Sequence, residues 1–94
     1  MQDDPVPAAE ALARAAIVEF LGPQALAALA LRVEAYTAPR DGEPLMSVSL
    51  APVGADATAW RGCAFLRRTT TAPERLAWAV REATRSALQQ LGRL

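Results

Sequence analysis

Three segments in the middle of the chain alternate apolar and polar side chains with a period of two. Leu31–Thr37 sets Leu31, Val33 and Ala35 against Arg32, Glu34 and Tyr36. Leu45–Ala51 sets Met46, Val48 and Leu50 against Ser47 and Ser49. Trp60–Arg68 sets Trp60, Gly62, Ala64 and Leu66 against Arg61, Cys63, Phe65 and Arg67. Alternation of this kind marks strands with one buried face. Between the first two, Ala38-Pro-Arg-Asp-Gly-Glu-Pro44 predicts a turn with Asp41-Gly42 at its tip, and Pro52–Ala59 predicts a second loop.

Helical patterns flank the strands. From about Pro7 to Leu21, Ala9, Leu12, Ala13, Ala16 and Phe20 share one face, and Glu10–Arg14 is a favourable i,i+4 pair. Ala11, Val18 and Leu21 lie elsewhere on this helix, so its apolar character runs nearly all round and predicts burial on more than one side. Gly22-Pro23 stops it, and Gln24–Ala30 can form a short second helical piece. At the other end, Thr71-Ala-Pro-Glu74 has the form of a capping box. The helix it opens carries Leu76, Val80, Ala83, Ala87 and Leu91 as a stripe and ends at Gly92.

The predicted order is helix, three antiparallel strands, helix, in a single α+β domain over residues 8–94 behind a loose tail, residues 1–7. Both helices cover the apolar face of the sheet, giving a two-layer α-β-β-β-α sandwich. The other face presents Arg32, Glu34, Tyr36, Ser47, Ser49, Arg61, Cys63, Phe65 and Arg67.

The closing helix adds a resemblance. Ala83-Thr84-x-x-Ala87-Leu88-x-x-Leu91 is similar to the Ala-Ala-x-x-Ala-Leu-x-x-Leu that ends the double-stranded-RNA-binding domain, which shares the element order. The resemblance implies that fold, and the chain departs from it where RNA is gripped. The family's Lys-Lys-x-Ala-Lys falls on Leu76-Ala77-Trp78-Ala79-Val80, and its Gly-Pro-x-His loop falls on Pro39–Pro44, which lacks histidine. Phosphate neutralisation supplies most of the affinity for a duplex, so loss of those lysines removes the mechanism.

Composition narrows the chemistry. The 94 residues hold ten arginines and neither lysine nor histidine, with 22 alanines beside one isoleucine, a composition that points to a GC-rich bacterial genome. Without histidine no side chain titrates near neutrality unless strongly perturbed, and no Cys–His or Ser–His pair is possible. Cys63, the only cysteine, excludes an internal disulfide and predicts a small buried hydrophobe. Asp41 and Glu43 bracket an exposed hairpin tip, unsuited to tuned acid–base work. The expectation is a protein without catalytic residues, metal or cofactor. The start is acidic where a secretory signal is basic, and no apolar run spans a membrane, which together predict a cytoplasmic protein with no membrane partner.

Charge is divided along the chain. Residues 1–59 carry eight acids against three arginines, and residues 60–94 carry seven arginines against two acids. Either the halves pair with each other inside one domain, or a basic face awaits an anionic partner. On the second reading Arg61, Arg67, Arg68 and Arg75, with Arg81 and Arg85, are the nucleic-acid candidates. Arg67-Arg68-Thr69-Thr70-Thr71 reads either as a phosphate seat at a helix N-terminus or as a solvated strand end followed by a cap.

Trp78 stands opposite the Leu76/Val80/Ala87 stripe, beside Arg81 and Arg85. An indole there either folds over an arginine stem of its own helix or anchors a protein interface, where Trp and Arg are enriched. Trp78, Arg81 and Arg85 are therefore the interface candidates, and Trp60 is assigned to the core. The open sheet face, with Tyr36, Phe65 and several arginines, reads as a stacking platform for single strands or as an edge-on dimer contact. The expected function is a non-catalytic protein-interaction module, self-associating as a homodimer, with a nucleic-acid-binding domain as the alternative.

Overall fold

The protein is described by a computed structural model covering residues 4–54, 61–68 and 72–94. Its elements are α1 (Pro5–Leu21), α2 (Ala25–Ala28), β1 (Leu29–Thr37), β2 (Pro44–Pro52), β3 (Gly62–Arg67) and α3 (Pro73–Gln90). The strands form one antiparallel sheet in the order β1-β2-β3. The α+β sandwich read from the sequence is what the chain forms, with α1 and α3 packed side by side on one face of the sheet.

Register follows the alternation. Val33, Val48 and Ala64 lie in one row across the three strands, and Leu31, Leu50 and Gly62 in another, all facing the helices. Met46, Val48 and Leu50 are fully buried. One packed cluster joins Ala9 and Ala13 of α1 to Val33, Met46, Val48, Leu66, Leu76, Val80 and Ala83. A second gathers Ile17, Leu29, Leu50, Ala87 and Leu88 near the other end of the sheet. Ala35 faces the same side but is exposed, because it lies toward the β1–β2 hairpin and belongs to neither cluster. The hairpin tip is Gly42, whose φ of 70° needs no Cβ, and Asp41 Oδ1 accepts the Glu43 N–H at 2.9 Å.

The helix ends correct the sequence reading at several points. α1 starts at Pro5, so residues 4–7 are not tail. Asp4 is the N-cap, its Oδ1 accepting the Val6 N–H at 3.0 Å, and Pro5 supplies a first-turn residue with no N–H to satisfy. Ala9, Ala13, Ala16 and Ile17 are the fully packed positions, while Leu12, Val18, Phe20 and Leu21 are half-buried. The outward residues are Pro7, Ala8, Ala11 and Ala15 with charged neighbours. The all-round apolarity of α1 is thus largely alanine, and its large side chains are taken up by its own domain.

α3 is capped by Ala72 through the main chain alone, and Thr71 lies outside the described residues, as does Trp60. The buried stripe runs through Leu76, Val80, Ala83, Thr84, Ala87 and Leu88, and Leu91 is only half-buried beyond the last turn. Gly92, at φ 75°, closes the helix: its N–H bonds Gln89 O at 3.0 Å while the Arg93 N–H bonds Leu88 O at 2.9 Å.

Among the described residues two ion pairs join the acidic and basic halves. Arg67 Nε meets Glu43 Oε1 at 2.8 Å, and Arg81 grips Glu19 with Nε and Nη2 at 3.0–3.3 Å. Those hydrogen bonds hold the Glu19 carboxyl below its usual range and raise the Arg81 guanidinium. Arg81 also lies over the Phe20 ring, 4.9 Å from its centroid, so one side chain ties α3 to the end of α1.

Candidate protein interface

α3 turns three flanks to different neighbours. Its buried stripe meets the sheet, Arg81 faces α1, and the remaining flank overlooks β3, where Trp78, Ala79, Glu82 and Ser86 form one wall of a groove. The other wall is β3 itself, Cys63 to Leu66. The groove is open and encloses about 480 Å³. Trp78 stands at its rim with 66% of its surface exposed, and Phe65 on the far wall is 54% exposed. Phe65 in turn meets Tyr36 across the open sheet face, ring centroids 5.3 Å apart and tilted by 46°. An aromatic strip therefore runs from Tyr36 through Phe65, over the border of the sheet, to Trp78.

The interface candidates separate in this geometry. Trp78 is on the groove and solvent side; no described cation stacks on it, and Arg81 has Phe20 as its ring partner. Arg85 is exposed and lies 3.9 Å from Glu82, whose other oxygen lies 3.4 Å from Arg81. Of the trio, Trp78 and Arg85 present themselves outward, and Arg81 is an internal clasp.

The nucleic-acid candidates do not converge. Arg61 precedes β3, and Arg67 and Arg68 lie at its other end, about 20 Å away at the rise of a strand. Arg67 is paired with Glu43. Arg68 reaches across the end of the sheet, its Nη2 donating to Tyr36 O at 3.3 Å and Thr37 Oγ1 at 3.5 Å, so it ties β3 to β1. Arg75 is exposed beside Glu74 and Trp78. On the open face Arg32 is paired with Glu34. Of the three positions where the RNA-domain resemblance would put lysines, Leu76 and Val80 are buried under the helix and Ala77 is half-buried.

No protein-family model, no curated protein and no solved structure matches this chain. Among the described residues no group of His, Cys, Asp and Glu is placed to hold a metal ion, and no helix is long and apolar enough to cross a membrane.

Two features of β3 escaped the sequence reading. Cys63 is half-exposed on the open face, not buried, with its Sγ 3.4 Å from Ser49 Oγ. Its main chain is held from the side by Gln90: the Cys63 N–H donates to Oε1 at 3.0 Å, and Nε2 donates to the Cys63 carbonyl at 2.8 Å. The side-chain amide acts as a one-residue strand. A polar residue in the last turn of α3 is the only signal in the sequence, and spacing cannot say which strand it reaches.

Proposed function

We propose that this chain is a small bacterial, non-catalytic interaction module that acts in the cytoplasm and self-associates through the flank formed by β3 and α3. The observation that carries this is the placement of Trp78 and Phe65, two of the most exposed large apolar side chains, on either side of the β3 border, one from the helical layer and one from the open sheet face. Exposed aromatic rings flanking a cleft are the kind of residue that supplies most of the energy of an interface. The dispersal of the arginines, with Arg67 and Arg81 held by carboxylates and Arg68 by the sheet, supports a protein partner over a phosphate backbone. Sedimentation velocity at tens of micromolar should return a dimer mass, and Trp78→Ala should raise the dimer Kd by about ten-fold or more. A monomer throughout that range overturns the proposal.

A further inference from the structure

β3 borders the sheet, and its outward main-chain groups have two fates. Those of Cys63 are taken by Gln90. Successive residues of a strand turn their main-chain groups to opposite sides, so Phe65 and Arg67 address the same border as Cys63. Among the described residues nothing pairs with them there. The Arg68 N–H, one residue on, bonds back to Pro44 O at 3.0 Å, as the alternation requires. An uncovered strand border flanked by apolar rings is a template for another strand. The opposite border, β1, instead carries the Arg32–Glu34 pair and has no aromatic residue before Tyr36.

We infer that β3 docks on β3 of a second copy, antiparallel about a two-fold axis at Leu66, joining two three-stranded sheets into one of six strands. The inference rests on the self-association proposed above and names its register. With the axis at Leu66, Phe65 of each copy lies opposite Arg67 of the other, and the two residues exchange both main-chain hydrogen bonds. The free border is used fully, and the Gln90 clamp at Cys63 marks where pairing stops. On the open face each Phe65 ring then meets the other copy's Arg67, whose side chain is 74% exposed, a cation on an aromatic face.

The helical layer obeys the same axis. α3 runs antiparallel to β3, with Ala87 against Gly62 and with Ala79 and Trp78 level with Leu66. Trp78 and Ala79 then face their counterparts at the centre. Arg75 of each copy faces Glu82 of the other, so the flanks are complementary in charge.

Reversing the charges tests the register. Arg75→Glu or Glu82→Arg alone puts like charges across the axis and should weaken the dimer about ten-fold in sedimentation equilibrium. The two together should restore the wild-type Kd. Phe65→Pro should give a monomer with an unchanged circular dichroism spectrum, since the Phe65 N–H plays no part in the ladder to β2. Should that variant unfold, the charge reversals still decide. A wild-type dimer that neither reversal weakens, or that the double variant fails to restore, overturns the register and leaves self-association standing. A monomeric wild type overturns both.

Discussion

Gly62→Ala should lower the stability of the domain by about 3 kcal/mol, at the upper end of overpacking costs, and for a chain of this size the melting temperature should fall by about 15 °C. A Cβ at position 62 would lie 2.2 Å from the Ala87 carbonyl oxygen and 2.9 Å from its carbon. Those are main-chain atoms of the last turns of α3, fixed on one side by the Gly92 closure and on the other by the Gln90 clamp. Neither obstacle can swing aside like a side chain, so the helix must lift from the sheet. Alanine recovers about 0.5–1 kcal/mol of chain entropy relative to glycine, too little to offset the clash. Denaturant titration reads the change, and a midpoint equal to that of the wild type would mean that α3 rides higher over β3.

Truncation of Leu88 comes next, with an expected loss of about 3 kcal/mol. Leu88 is fully buried in the cluster of Ile17, Leu29, Leu50 and Ala87, and the half-buried Phe20, Leu21, Leu26 and Leu91 pack around it. A domain of this length has about 5–14 kcal/mol in total, so Leu88→Ala removes a large share. Leu91→Ala, at the rim of the same cluster, should cost less than half as much. Urea titration of the two variants distinguishes this placement from a stripe running through Leu91, which would reverse the order.

That contrast marks where the sequence stops being readable. The period-two alternation of Leu31–Thr37, Leu45–Ala51 and the Gly62–Arg67 part of Trp60–Arg68 carries the sheet and its buried face, because a strand has only two sides. A helix offers a continuum of directions, and Leu88 and Leu91 both lie within reach of the α3 stripe; only the position of the second cluster selects Leu88. Ala35 obeys the alternation and is still exposed, since alternation encodes a face and not the length of the helix that covers it. The partners of Arg81 and Arg68 lie 62 and 31–32 residues away, beyond any local rule. Trp78 was legible as a misfit on a polar face, but its place on a groove shared with Phe65 required α3 to be seated beside β3. Gly62 was the one available hint of that close seating, a glycine on an otherwise apolar strand face.

The Gln90 clamp separates two neighbouring amides in time. The Ala64 N–H belongs to the ladder with β2 and opens only when the sheet does, whereas the Cys63 N–H is guarded by one side chain on the final turn of a helix. Helix ends fray far more readily than sheets unfold. In native-state hydrogen exchange Cys63 should therefore lose its proton orders of magnitude sooner than Ala64. Gln90→Ala should abolish the protection of Cys63 while leaving that of Ala64 within a few-fold, which makes this single amide a reporter for the breathing of the C-terminal turn.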